Sequence, residues 1–591
     1  MKNNTSPDKK PILRRMLSYT KPYLGFLILS FIAAVISVAM TLYAPVLVGK
    51  GVDFIIGKGD VDFDSLLPVV IKLCAVVLLS AFFTWIMTVC TNTVSYHTVN
   101  DLRRQVYAKI NSLPLKYIDS SSRGDIIGRV TVDIEQISDG MLQGFSQFFT
   151  GIVTIAGTII FMLSINFKIA LVVIFITPLS LFVAAFITKI SHDKFRERSA
   201  VQGELSGCIE ELVGNQKIVQ AFSYEERAQE KFEEINGRLY VCGLKAQFYS
   251  ALTNPSTRFV NGLVYAATGV FGAISVLSGT SAMTVGQIAT FLSYANQYTK
   301  PFNEITGVIT ELQSAFASAR RVFDILDEEP EASDENGLEV TDSKGNIEIK
   351  NVSFSYSPDT PLIQNLNLSV KSGQKIAIVG PTGCGKTTFI NLLMRFYDVT
   401  EGEILIDGIN IKNMKRENLR SLYGMVLQDT WIFTGSVGEN IAYGRPEAPD
   451  DEIREAASMA HAHSFIKRLE NGYDTMLSED GGNLSQGQKQ LLSISRIMLT
   501  DPPMLILDEA TSSIDTMTEQ RIQKAFAKLM KGRTSFIIAH RLSTIKDADL
   551  ILVMKDGNII EQGNHEELLE KGGFYSVLYN SQFEQTASHR E

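Results

Sequence analysis

KIAIVGPTGCGKTTFINLLMRF, residues 375–396, decides the fold of the second half of the chain. An apolar strand-length run leads into GPTGCGKT, and a helical pattern follows, so the spacing GxxxxGK[ST] sits in the strand–loop–helix context that a phosphate-binding loop requires. Gly380, Gly383 and Gly385 let backbone N–H groups turn inward around phosphate oxygens, and the helix N-terminus adds its positive dipole end. Lys386 is placed to neutralise β- and γ-phosphates, and the Thr387 hydroxyl to ligate Mg²⁺.

Two further strand-length runs deliver chemistry to their ends. MLILDEATSSID (504–515) carries an apolar strand into Asp508, which can hold Mg²⁺ directly or through water, and Glu509, which can polarise an attacking water. SFIIAHRLSTI (535–545) delivers His540 one helix length later, where it can hold that water and Glu509 in line. Runs of Ile, Leu and Val this short suit buried strands of an α/β sheet. His461 and His463 stand two apart on an expected helix, on different faces, and make no metal pair.

The first half has a different solvent. A chain of 591 residues is too long for one core, and its mean hydropathy is +0.09 although 20% of its residues are charged. That average fits a membrane part joined to a water-soluble part. A helix needs about 20 apolar residues to cross about 30 Å of hydrocarbon. Residues 24–48, 67–90, 145–165, 169–187 and 259–277 meet this. A sixth segment, 283–309, is interrupted by Gln287, Asn296, Gln297, Lys300, Asn303 and Glu304, and should line a cavity.

Basic residues set the orientation. Arg103, Arg104, Lys109, Lys116, Arg123 and Arg129 lie between the second and third spans, and Lys189, Lys194, Arg196, Arg198, Lys217, Arg227, Lys231 and Lys245 between the fourth and fifth. The positive-inside rule then places both termini and both long connections in the cytoplasm. The basic start, MKNNTSPDKKPILRRML, reads as a lead-in to a membrane span rather than a cleaved signal. The long connections keep a helical apolar period, as in ELSGCIEELVGNQKIVQAFSYEERAQEKF (204–232), so they extend the membrane helices as stalks with turns near 117–128 and 220–228. An acidic, Pro-containing stretch, DEEPEASDENG (327–337), reads as a linker. Five cysteines without CxxC spacing argue for free thiols and no zinc site, and a net charge of −9 gives no nucleic-acid signature.

Taken together, these stretches resemble the ATP-binding cassette (ABC) transporters, specifically exporter half-transporters of the multidrug and lipid type. The resemblance implies an all-α membrane domain of six helices (1–326), the linker, an α/β P-loop nucleotide-binding domain (338–580) and a polar tail (581–591). It makes GPTGCGKTT the Walker A motif, adding Pro381, Thr382, Cys384 and Thr388 to the phosphate-binding set, MLILDE the Walker B motif, and SSID (512–515) the D-loop. His540 becomes the switch histidine, and Tyr356 in VSFSY the ring under adenine. Gln428 in MVLQDTWIF becomes the Q-loop glutamine, a third Mg²⁺ ligand.

NLSQGQKQ (483–490) resembles the family signature, with Ser485, Gln486, Gly487 and Gln488 capping an ATP held by the other subunit. The resemblance therefore implies a dimer with two ATPs at its seam, driving a hydrophobic or amphiphilic solute (drug-like, lipid or peptide) across the plasma membrane. The family's usual signature is Leu-Ser-Gly-Gly-Gln, and Gln486 departs from it. In this family a complete Walker face with an altered signature implies one half of a heterodimer; the alternative is a homodimer that tolerates Gln486. Rival classes are an ATP-gated channel on the same frame and, much disfavoured by the spans, a DNA-acting ATPase.

Overall fold

The computed structural model describes residues 12–55, 61–277, 283–357, 360–427, 430–478, 481–508, 515–538 and 545–581, so Gln428, Glu509, His540 and residues 512–514 lie outside the described part. Contacts divide the chain into two units. One runs to Leu113 and resumes over Ser121–Glu329; the other takes Pro114–Ser120 and continues from Pro330. The expected linker, 327–337, is therefore divided between them.

The first unit is helical. Its elements are α1 (Ile12–Thr20), α2 (Leu24–Asp53), α3 (Phe63–Asn111), α5 (Arg123–Gly128), α6 (Ile134–Ile165), α7 (Phe167–Ile176), α8 (Pro178–Gly214), α9 (Gln216–Ala221), α10 (Glu225–Ala251), α11 (Thr253–Leu277) and α12 (Val285–Asp327); α4 (Leu115–Ser120) belongs to the second unit. With 49 residues, α3 is about 70 Å long, more than twice the hydrocarbon thickness, as a stalk demands. The expected turns fall on α4–α5 and on the α9–α10 junction. Among the described residues four helices, Ile12–Asp53, Phe63–Asn111, Arg123–Ile165 and Glu225–Leu277, are long and apolar enough to cross a membrane. Over the fourth expected span α7 passes into α8 through Thr177, whose backbone is helical and whose N–H reaches the Val173 carbonyl at 3.0 Å; Pro178, which follows, contributes no N–H to the ladder. The sixth is helical from Val285 but diluted by its polar residues, of which Asn296, Lys300 and Glu304 are exposed.

Hydroxyls bind these helices to one another, since apolar contact alone gives little preference over lipid. Between α2 and α3 the pairs Ser30–Thr91 (2.9 Å), Ser37–Thr84 (2.7 Å) and Thr41–Ser80 (2.8 Å) form a ladder. The buried Tyr294 of α12 donates to the Leu42 carbonyl at 2.6 Å. Near the start of α6, the buried Asp133 carboxylate accepts from Arg321 Nε (2.7 Å) and the Ser318 hydroxyl (3.0 Å) of α12. Leu78, Trp85, Phe175 and Phe182 stay exposed, as residues facing acyl chains would.

Among its described residues the second unit holds twelve strands: β1 (Ile347–Phe354), β2 (Ile363–Val370), β3 (Lys375–Val379), β4 (Glu401–Ile406), β5 (Ile409–Asn410), β6 (Tyr423–Val426), β7 (Gly435–Ser436), β8 (Met476–Leu477), β9 (Met504–Asp508), β10 (Thr534–Ile538), β11 (Leu550–Lys555) and β12 (Asn558–Gly563). A six-stranded sheet of order β12-β11-β3-β10-β9-β6 is parallel except for β12, and an antiparallel sheet has the order β2-β1-β4-β5. Helices α13 (Lys386–Leu393), α14 (Gln486–Thr500) and α15 (Thr516–Met530) pack around them.

Side-chain alternation explains the unbroken apolar runs. Ile376, Ile378, Met504, Ile506, Phe536 and Ile538 face a core shared with the antiparallel sheet and α13. Ala377, Val379, Leu505, Leu507 and Ile537 face the opposite core with α14 and α15. Both faces of β3, β9 and β10 are buried, so their apolar residues run on without alternating to exposed ones. The stretch after Asp327 is no loose tether either: Asp334 accepts from the Arg416 backbone N–H and Glu331 pairs with Arg416 at 3.0 Å. Nor do His461 and His463 share a helix. His461 sits in a turn at φ +59° and His463 opens the next short helix, bonded to the Tyr473 hydroxyl at 2.7 Å. Among the described residues no cluster of His, Cys, Asp and Glu could hold a metal.

Gly557, in the β11–β12 turn at φ +80°, donates its N–H to the Cys384 carbonyl at 3.0 Å and so props the phosphate loop. A Cβ there would lie 1.6 Å from the Leu362 carbonyl oxygen. Gly557→Ala is expected to destabilise this unit by about 3 kcal/mol, combining left-handed strain with overpacking. Its thermal transition in the purified full chain should move down clearly; an unchanged transition removes this turn as a support.

Candidate nucleotide site

The site is assembled at the carboxyl ends of neighbouring parallel strands. In register, Ile378 of β3 lies beside Ile538 of β10, and Ile538 beside Asp508 of β9. Gly380 follows Ile378 by two residues, so the start of the loop, Asp508 and the end of β10 at Ile538 lie along one edge, the usual place for ligands on such sheets. The strand order thus brings together three stretches that are far apart in sequence.

The loop closes into a cradle. Gly383 and Gly385 have φ of +82° and +100°, backbone that side-chain-bearing residues disfavour, and Gly385 then caps α13 with no side chain over its first turn. The leading N–H groups of α13 therefore remain for an anion. Lys386 Nζ bends back over the loop, donating to the carbonyls of Gly380 (2.8 Å) and Pro381 (3.0 Å). Pro381, Thr382 and Thr387 are exposed, whereas Cys384 and Thr388 are buried. Hydroxyl, carboxylate and amide oxygens, as on Thr387, Asp508 and Gln428, are the hard donors that Mg²⁺ prefers.

Thr388 has another partner. Its hydroxyl lies 3.1 Å from that of Tyr356. The Tyr356 ring, 41% exposed, meets Phe354 and Tyr397 edge-on at 5.0 Å each. Tyr397, 9% exposed, donates its hydroxyl to the Asp119 carboxylate of α4 at 2.5 Å. Burial, reinforced by that carboxylate, pushes the Tyr397 phenol well above its usual range, so it remains a donor. Neither Tyr397 nor Asp119 carries a sequence motif.

The signature stretch is a helix start. Ser485 caps α14, its hydroxyl accepting from Gln488 N–H (3.4 Å) while the Gln488 side chain accepts from Ser485 N–H (2.9 Å). This capping box was legible in the Ser-x-x-Gln spacing. Gln486 is exposed as the first helical residue and Gly487 is buried. One turn from the end of α14, Arg496 donates to the carbonyls of Asn440 (2.6 Å) and Trp431 (2.8 Å), tying this helix to the segment that follows Gln428.

Comparison with known proteins agrees with this geometry. Residues 27–302 match the family described as the ABC transporter transmembrane region, and residues 363–512 the ABC transporter family. An ABC transporter ATP-binding protein of Bacillus subtilis, YfiC, is 42% identical over 585 residues, covering 99% of this chain and 96% of the relative. The chain belongs to the ABC transporters. This ABC transporter is also 45% identical over 526 residues to a fatty acid ABC transporter ATP-binding/permease protein of Mycobacterium tuberculosis, covering 89% of the chain and 83% of the relative. To an ATP-dependent lipid A-core flippase of Desulfotalea psychrophila it is 36% identical over 583 residues, covering 97% and 100%. A solved bacterial Atm1-family ABC exporter with ATP bound superposes with a TM-score of 0.76 at 27% identity, covering 97% of this chain and 98% of that one. The ABC transporter is thus an exporter half-transporter of the dimerising kind, a multi-pass membrane protein whose ATPase is coupled to transport.

Proposed function

We propose that this half-transporter exports a lipid-like amphiphile, a long acyl chain with a polar head, across the plasma membrane, with its ATPase unit and both termini in the cytoplasm. The observation that carries this reading is the similarity to relatives named for fatty acids and for lipid A core. A cavity of 610 Å³ in the membrane unit supports it: Phe145, Phe148, Phe302 and Phe316 line it, and among the described residues Thr20, Gln147 and Glu304 are its polar lining. That surface suits an acyl chain better than a peptide's many amides.

At the nucleotide site, backbone N–H groups of the loop and Lys386 hold the phosphates, and Tyr356 carries adenine. Thr387, Asp508 and Gln428 would hold Mg²⁺, which supplies charge neutralisation at the β- and γ-phosphates. Glu509 takes a proton from water, and His540 orients it. Ser485 to Gln488 face a nucleotide on the partner. Closure of two such cassettes on ATP favours the outward-facing state, a population shift driven by ATP's preference for the closed dimer.

Stimulation of ATPase activity in the reconstituted complex tests the cargo. Long-chain fatty acids or lipids should stimulate saturably; stimulation by hydrophobic cations or short peptides but not by lipids overturns the lipid reading. ATP-dependent accumulation in vesicles against a gradient separates a pump from an ATP-gated channel.

The phosphate roles are tested by a pair of variants. Lys386→Ala should lose nucleotide affinity and turnover together, whereas His540→Ala should bind ATP and lose turnover. Equal binding of labelled ATP by both variants and by the unaltered protein refutes the Lys386 assignment.

A further inference from the structure

Tyr356 is the most exposed member of a closed triad of rings, and its orientation is fixed from three sides. Phe354 meets it at 84° and Tyr397 at 88°, both with centroids at 5.0 Å, while Thr388 meets its hydroxyl at 3.1 Å. Phe354 and Tyr397 also touch, at 5.7 Å and 68°, which closes the triad. Phe354 is anchored in β1, inside the core, and Thr388 in α13. Tyr397 is anchored differently. Its hydroxyl is held by Asp119, on the short helix α4 that the chain places between α3 and α5 and that contacts assign to the ATPase unit. Leu115 of the same helix packs on the core that contains Phe354 and Tyr397. A hydrogen bond to a charged acceptor is about twice as strong as a neutral one, so it is a firm restraint on a ring otherwise free to slide against its neighbours.

We propose that Tyr397 and Asp119 are positioning residues for the nucleotide base, their hydrogen bond holding Tyr397 edge-on against Tyr356 so that the Tyr356 face is presented to a purine. Neither residue touches the nucleotide; both act through Tyr356. The arrangement runs in both directions, because whatever the base gains from a fixed Tyr356 is returned as a firmer hold on α4. Nucleotide identity is thereby read by the one helix of the ATPase unit that comes from the first half of the chain. The inference rests on the reading of Tyr356 as the base platform, and the test separates the two.

The experiment measures KM and kcat for ATP and for UTP on the assembled, membrane-reconstituted transporter. UTP keeps the triphosphate and offers a smaller ring to stack on. Tyr397→Phe keeps all three rings and removes only the hydroxyl. It should raise KM for ATP about fivefold, the worth of one hydrogen bond, with kcat within about twofold and KM for UTP nearly unmoved. Asp119→Ala should do the same. Asp119→Asn, which keeps an acceptor oxygen, should restore most of the ATP affinity, and the Tyr397→Phe/Asp119→Ala double variant should be no worse than either single one. A general loosening of the unit would raise both KM values together, and that result overturns the proposal, as does an unchanged KM for ATP in both single variants. Tyr356→Ala is the control. If it lowers the preference for ATP over UTP while Tyr397→Phe does not, the positioning role fails and the platform stands. If Tyr356→Ala leaves that preference untouched, the platform reading fails and takes the positioning role with it.

Discussion

Glu509→Gln is expected to bind ATP nearly as well as the unaltered protein and to hydrolyse it slower by a factor on the order of 10² or more, the loss that follows from removing one catalytic group. The expectation follows from strand register. Asp508 ends β9 beside Ile538, and Ile538 lies beside Ile378, two residues before the phosphate loop begins. β9 therefore ends at the edge where the γ-phosphate would lie, and Glu509 follows Asp508 in the sequence. A glutamine of the same size keeps the contacts of the side chain but cannot take a proton from water. The closed, ATP-loaded dimer should accumulate, which trapping of labelled ATP and an outward-facing accessibility pattern would both register. Turnover at the unaltered rate would remove Glu509 from the reaction.

The sheet was readable because both of its faces are buried, so β3, β9 and β10 each appear as an uninterrupted apolar run ending in a residue of chemical interest. The phosphate loop was readable because its glycines answer a local backbone demand, φ of +82° and +100°, that leaves a spacing in the sequence. The supports of the site leave no such trace. Tyr397 and Asp119 are 278 residues apart, and no periodicity or turn rule connects them. Arg496 was hidden in the same way, since its partners Asn440 and Trp431 are 56 and 65 residues away. The acidic stretch at 327–337 gives no sign in its composition that Glu331 and Asp334 are held by Arg416. So local conformational demands were legible, and contacts made by folding were not.

Gln486 carries the second large expected effect. It is the exposed first residue of α14, beside the Ser485 cap and ahead of the buried Gly487. The family's usual signature has glycine at this position, where a bare backbone can approach a phosphate closely; on the proposed reading, the five side-chain heavy atoms of Gln486 would stand in that approach. The capping box survives, because Ser485 and Gln488 bond each other and not residue 486. The change therefore leaves the helix start intact and adds an exposed side chain at the first position of α14. This chain's own Walker residues, Glu509 and His540 included, are complete in sequence. The proposed arrangement is a heterodimer in which this chain supplies the competent ATP site, completed by a regular signature on the partner, and its own altered signature meets a degenerate site there. Purified alone, the chain should show little ATPase activity, and co-expression with the matching half-transporter should restore it. In the restored complex Glu509→Gln should abolish nearly all turnover, since no second competent site remains to carry it. A solitary chain that forms a stable dimer and hydrolyses ATP at both sites with full lipid-stimulated turnover decides for the homodimer, one that tolerates Gln486 in its signature.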